Sequence, residues 1–163
     1  IEVGRAFVKA LEMLPPSDWK MRFIGNGPLW DSRIQHPRLE YLGYKSPEEL
    51  QNYIRDSGVF VLPSQGEHWG VVVHEFATMG LPLFCSNSVG ATSMFLHDGE
   101  NGFLLDPADE KSMINGFVRI MRLSDSELSA MGQKSRALGL SYTTEDWVDK
   151  LLSFIGGRNE VVG

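Results

Sequence analysis

Cysteine is nearly absent from this chain of 163 residues: Cys85 stands alone. One thiol cannot form an internal disulfide, so nothing in the thiol content points to an oxidising, secreted setting. Long apolar runs are lacking too. None approaches the ~18 residues of a membrane span, and no charged-then-apolar leader opens the chain. Positive charge is missing from one third only. Residues 56–110 hold no Lys or Arg against eight Asp or Glu, whereas 1–55 hold eight against seven and 111–163 seven against six. The formal net charge of −6 argues against a nucleic-acid partner, and the whole imbalance is central. A soluble, cytoplasmic protein is the expectation.

What is present is ordinary for a globular domain: 42% hydrophobic, 22% charged and 10% aromatic residues. A chain of this length hides roughly 70% of the surface its unfolded form exposes, enough to build a core without a disulfide or metal staple. One compact domain is expected. The first residue, Ile1, already belongs to an apolar-periodic stretch with Gly4, Phe7, Val8, Leu11 and Leu14, which reads as a piece of a longer protein.

The pattern predicts a helix over 1–14 stopped by Pro15 and Pro16, a short buried strand at 21–25 and a second at 39–43. Ser46, Pro47 and Glu49 supply an N-cap, a first-turn proline and a capping-box partner for a helix reaching about Arg55. A continuous apolar strand at 59–62 ends at Pro63. A helix from about 71 to 79 then stops at Gly80 and Pro82, and a strand follows at 83–86. A short helix at 93–97, a strand at 103–105 and helices at 109–122, 125–139 and 144–155 complete the order. Met113, Phe117, Met121, Trp147 and Phe154 recur at helical spacing and read as core. Strands apolar on both sides that alternate with helices predict a doubly wound parallel sheet of the α/β class. Function then sits in the loops at the carboxyl ends of the strands.

The most informative loop runs from Pro63 to Glu75, from a strand end into a helix start. Backbone N–H groups of Gly70, Val71 and Val72 are unpaired at such a start, and the helix dipole favours an anion there. Ionised Glu67 and Glu75 only accept hydrogen bonds, which suits ligand hydroxyls. A polyhydroxylated, phosphorylated ligand satisfies both features. Acids at a helix start equally serve as solvent-exposed complements to the dipole, so the two glutamates alone decide nothing.

Competing motifs fail on spacing. Gly25-x-Gly27 begins a dinucleotide fingerprint, but Trp30 stands where the third glycine belongs. His74-Glu75 lacks a second histidine, the position being Thr78. Ser64 has no His and Asp set, and its hydroxyl is expected to cap the loop. His68 reads either as a ligand contact or as a surface residue hydrogen-bonded beside an acid, and Trp69 as packing beneath the loop.

Taken together, these segments resemble the donor-binding, C-terminal half of the GT-B glycosyltransferases, in the retaining group called family 4 or glycosyl transferases group 1. Pro63, Ser64, Glu67, Gly70, Glu75, Gly80 and Pro82 match its two-glutamate motif. Phe23–Pro28, Tyr41-Leu42-Gly43, Gly90 and Asp98–Gly102 flank it in the same order. The resemblance implies a Rossmann-like half with about six strands in the parent, the first missing here. Residues 1–163 would form one nucleotide-sugar-binding domain, with 140–163 a C-terminal helix and tail. It implies that Glu67 takes hydroxyls of the donor sugar and is the catalytic-site acid, and that Glu75 binds the ribose diol. The amides of Gly70, Val71 and Val72 would face the diphosphate, His68 the donor, and the backbone at Tyr44 and Lys45 the base. It further implies transfer of a hexose with retention to a polysaccharide or glycolipid acceptor held by a missing N-terminal domain. No metal and no cofactor beyond the nucleoside-diphosphate sugar substrate is expected, and the parent is expected to associate peripherally with the inner face of a membrane.

Two departures stand out. The family's Gly-Gly and following Glu are replaced by Gly90, Ala91 and Met94, and its phosphate-binding Arg and Lys would precede Ile1. The isolated chain is therefore expected to be inactive. An epimerase or phosphorylase of the same architecture, or a non-catalytic nucleotide-sugar-binding domain, are the alternatives. No lysine for pyridoxal phosphate lies near the loop, which counts against a phosphorylase.

Overall fold

The computed structural model describes residues 2–143 together with Glu145, Asp146, Val148, Leu152 and Ser153. The chain opens with helix α1 (Glu2–Glu12), which buries Val3, Ala6, Phe7 and Ala10 on one face and ends ahead of Pro15-Pro16. Strand β1 (Met21–Ile24) follows and pairs in parallel with β2 (Leu39–Gly43), with Phe23 opposite Tyr41. Their connection carries a single 3-10 turn at Trp30–Ser32, which the sequence pattern did not announce.

Helix α2 (Pro47–Arg55) starts as its residues dictate. The Glu49 amide donates to Ser46 Oγ at 3.3 Å and the Ser46 amide donates to the Glu49 carboxylate at 2.9 Å, so two otherwise orphaned donors are satisfied reciprocally. Strand β3 (Phe60–Leu62), helix α3 (Val71–Thr78), strand β4 (Leu83–Ser86), the short helix α4 (Thr92–Phe95) and strand β5 (Gly102–Leu105) come next. Helices α5 (Glu110–Met121) and α6 (Asp125–Leu140) end the regular part. Ser124 and Glu127 form a second capping box at the start of α6.

The parallel pairing agrees with the α/β expectation, but the ladders are two where one continuous sheet was expected. β1 pairs with β2, and β3, β4 and β5 pair in that order, Phe60 against Leu83 and Leu83 against Gly102. Trp19, two residues before β1, packs on Gly58, two before β3, so the ribbons stand side by side. Among the described residues no strand joins them. Alternate backbone groups of a parallel strand point to opposite neighbours, so one side of β1 and one side of β3 lack a ladder partner.

Side chains unite what the backbone leaves apart. Gly4 of α1 lies over Phe23 and Leu39 of the first ribbon, while Phe7 meets Phe117 of α5 edge-on at 5.4 Å, and Phe117 meets Phe84 of β4 at 5.0 Å. One apolar cluster therefore spans both ribbons beneath α1 and α5, and a second, with Val73, Leu83, Cys85, Val89 and Phe95, lies under α3 and α4. Met113 and Phe117 are buried and Met121 packs against the same core as expected. Trp147 and Phe154 lie outside the described residues. Of the helix expected over 144–155, the described residues Glu145, Asp146, Val148, Leu152 and Ser153 are helical.

Candidate functional site at the mouth of α3

The loop 63–70 leaves β3 at its carboxyl end and turns into α3 through Gly70. That residue adopts a left-handed conformation (φ 82°, ψ 63°), and a Cβ there would lie 2.7 Å from a Val89 methyl. Only glycine combines that φ with that approach. No side chain caps α3. The Val73 amide bonds the Gly70 carbonyl at 2.9 Å, while among the described residues the amides of Gly70, Val71 and Val72 have no partner. The mouth of the helix is thus open, with N–H donors unclaimed by the protein's own atoms.

The loop is held from outside by the turn after β4. The Glu67 amide donates to the Ser88 carbonyl at 3.3 Å, the Gly90 amide to the Glu67 carbonyl at 3.1 Å, and the Ala91 amide to the Trp69 carbonyl at 2.7 Å. Gly90 passes so close to the His68 carbonyl that a Cβ would collide with it. Backbone bonds therefore fix where Glu67 and His68 emerge, and both side chains are exposed without an ion-pair or hydrogen-bond partner among the described residues. Together with Asn87, Ser88, Gly90 and Ser93 they border a hollow of about 580 Å³. Its rim of carboxylate, amide and hydroxyl groups is chemically suited to a polyol.

The other expected residues are placed separately. Glu75, one turn inside α3, is exposed and borders neither this hollow nor the second one. Tyr44 and Lys45 follow β2 in the other ribbon. Tyr44 is 74% exposed, and the Lys45 ammonium is occupied at 3.6 Å from Glu49 and 5.6 Å from the Tyr53 ring. The Lys45 side chain is thus committed within the protein, whereas the Tyr44 ring stands open to solvent.

The loop's remaining side chains with an expected role are Trp69 and Ser64. Trp69 keeps 37% of its surface in solvent, and the loop beside it is secured by backbone bonds. The Ser64 hydroxyl makes no cap among the described residues. His74 instead has a structural partner, its Nε2 lying 2.8 Å from the Gly139 carbonyl and its ring stacked on Phe95 at 4.3 Å. Burial pushes the Cys85 thiol up to about 12, so it is no nucleophile for this site.

A second hollow, of about 290 Å³, went unread in the sequence. It lies at the carboxyl end of β1 and is lined by Phe23, Gly25, Pro28, Trp30, Arg33 and Tyr41. The Arg33 guanidinium sits 4.6 Å over the Trp30 ring, and Phe23 stacks on Tyr41 at 4.7 Å. The β1–β2 connection, with its single 3-10 turn, borders this space, and the run Gly25-Asn26-Gly27-Pro28 after β1 was the signal available for it.

Comparison with known proteins follows the same lines. The sequence pattern of the family described as glycosyl transferases group 1 matches residues 5–138. An exopolysaccharide phosphotransferase of Streptomyces coelicolor is 27% identical over 96% of this chain and 17% of its own length. A sulfoquinovosyl transferase of Arabidopsis thaliana is 30% identical over 70% of this chain and 24% of its own. The chain thus spans less than a quarter of the length of these two relatives. Among solved structures, S. aureus TarM in complex with fondaparinux, alpha-GlcNAc-glycerol and UDP superposes with a TM-score of 0.77 at 22% identity, covering 93% of this chain and 31% of that one. That likeness shows the fold, a half of the GT-B architecture.

Proposed function

The chain belongs to the glycosyl transferases group 1 family, and on that premise we propose that it is the donor-binding domain of a retaining hexosyltransferase. The relatives support glycosyl transfer in general. The reading finer than that rests on one observation: the uncapped mouth of α3, with the amides of Val71 and Val72 free and Glu67 and Glu75 unpaired near it. In this reading the diphosphate of a nucleotide sugar meets those amides. Glu67, with His68 beside it, takes hydroxyls of the sugar, Glu75 takes the ribose diol, and the backbone at Tyr44 and Lys45 meets the base. The acceptor, a polysaccharide or lipid-linked glycan, is held by a further domain.

Electrostatics says what else the full protein must bring. A helix start is worth ~0.3 to 2 kcal/mol to an anion, whereas a carboxylate ~4 Å from a phosphate costs on the order of 4 kcal/mol at an effective dielectric near 20. With no Lys or Arg in 56–110, the loop cannot hold a diphosphate alone. Cations from elsewhere in the parent must neutralise the leaving group, and bond cleavage depends on closing the two halves over the donor.

Titration of UDP, GDP and ADP sugars into the full-length protein, followed by transfer assays with the tightest binder, tests this. The expected result is acceptor-dependent transfer with retained anomeric configuration, and much weaker binding by the 163-residue chain alone. Release of an isomerised sugar nucleotide without acceptor would overturn the transferase reading, and equal affinity of chain and parent would overturn the charge argument.

A further inference from the structure

Three Asn–Gly pairs occur in the sequence: Asn26–Gly27, Asn101–Gly102 and Asn115–Gly116. In such a pair the glycine backbone nitrogen can attack the carboxamide carbon of the asparagine. A C–N bond closes a five-membered succinimide, the carboxamide C–N bond breaks, and ammonia leaves with the proton from the attacking nitrogen. Water then opens the ring at either carbonyl, giving aspartate or isoaspartate. The step consumes only water, and glycine favours it because no Cβ hinders the approach and the backbone is free to reach the required angles. It needs a carboxamide free to turn and a glycine amide with no other hydrogen-bond commitment.

The fold denies one or the other to each of two pairs. Asn115 and Gly116 lie inside α5, where the helical ladder engages the glycine amide, and Gly116 is pressed under the Phe84 ring. Asn101 is 2% exposed. Its Nδ2 donates to the Phe95 carbonyl at 2.8 Å and to Ser135 Oγ at 3.1 Å, and its Oδ1 accepts from the His97 amide at 2.7 Å. The related Asp98–Gly99 pair is restrained in the same way. Asp98 Oδ1 accepts from the Leu104 amide at 2.8 Å, and the Gly99 amide donates to the Gly102 carbonyl at 2.8 Å.

Asn26–Gly27 is restrained by neither means. Both residues are exposed in the turn after β1, and among the described residues neither the Asn26 carboxamide nor the Gly27 amide makes a hydrogen bond. No atom lies within 4 Å of where a Gly27 Cβ would stand. We propose that Asn26–Gly27 is a self-modifying site, at which the folded chain deamidates through a succinimide while its other two Asn–Gly pairs stay intact. The product carries one more negative charge, placed beside Gly43, since Asn26 Oδ1 lies 3.3 Å from the Cβ position of that residue. The isoaspartyl form also lengthens the backbone by one carbon between β1 and the Trp30 turn.

Peptide mapping by mass spectrometry of the 163-residue chain, aged in mildly alkaline buffer, tests the proposal. Native protein is expected to convert at Asn26 only, with the aspartyl and isoaspartyl peptides resolved by chromatography, whereas protein aged in urea converts at all three pairs. Hydroxylamine, which cleaves succinimides, is expected to cut the aged native chain once, after residue 26. In Gly27→Ala the native conversion is lost, while conversion at Asn101 and Asn115 in urea is unchanged. An intact Asn26 in native protein whose urea control converts, or equal native conversion at the three pairs, would overturn the proposal.

Discussion

The Gly90 amide donates to the Glu67 carbonyl at 3.1 Å, and the same glycine leaves no room for a side chain against the carbonyl of His68. The acid at the rim of the larger hollow is thus positioned by a residue 23 places further along the chain, through backbone alone. Gly90→Ala is expected to cost about 1–3 kcal/mol, the usual range for forcing extra volume into a packed site. A urea midpoint that falls without a change in slope would show it, and an unchanged midpoint would mean the loop gives way freely.

Glu67 and Glu75 are exposed and unpaired, so replacing them leaves stability within about 0.5 kcal/mol. In the full-length parent, Glu67→Ala and Glu75→Ala are each expected to weaken donor binding by roughly 10- to 150-fold, the equivalent of a charged hydrogen bond of ~1.5 to 3 kcal/mol. Calorimetric titration separates the two effects. Unchanged donor affinity in both variants would remove the pair from the donor site, and unchanged transfer would favour a non-catalytic binding domain.

Cys85 has no exposed surface, and burial drives its thiol up to about 12. A thiol so placed is protonated at neutral pH and shielded from reagents. Native protein is expected to resist an aromatic disulfide reagent until denaturant opens β4, at which point one thiol per chain reacts. Rapid labelling of folded protein would contradict the packing of the second core.

Glu40 on β2 receives Arg22 Nε at 3.0 Å and Lys20 Nζ at 3.1 Å, and these bonds hold its carboxyl below the ordinary value of 4.5. A folded pKa lower than the unfolded one means that the stabilisation is present above 4.5 and disappears as pH falls through the lowered value. Glu49 and Glu127, lowered by their bonds with Ser46 and Ser124, act in the same sense. Thermal melts taken from neutral into acid are therefore expected to show a falling midpoint, and Glu40→Gln to make that fall shallower. A steeper fall in the variant would contradict the pairing.

Local chemistry announced much of this architecture. Ser46-Pro47-x-Glu49 specified the start of α2 because the cap is satisfied within four residues, and the apolar run into Pro63 specified β3 because proline cannot continue a ladder. The Ser124–Glu127 box carried the same kind of signal and went unread. Other features had no local signature. The bond of Asn101 to Ser135 joins residues 34 apart, and the bond of the Ala91 amide to the Trp69 carbonyl joins the loop to a turn on another strand. The separation of the ladders depends on which strand neighbours which, a property no single strand encodes. For the site, the two acids and the glycine turn were legible as a motif. Their divergence, with Glu67 over one hollow and Glu75 outside both, was not, because helical spacing fixes where a side chain starts and not which cavity its neighbours enclose.

That no ladder joins β1 to β3 among the described residues has a mechanical consequence for this chain of 163 residues. Pulled along the strand direction, each ribbon resists through a row of backbone bonds that must break together, whereas among the described residues the seam is held by side chains, the dispersion contacts beneath α1 and α5 and the exposed Lys9–Glu110 pair at 2.7 Å, which give way one after another. Under load the molecule parts at that seam, and each ribbon comes away whole.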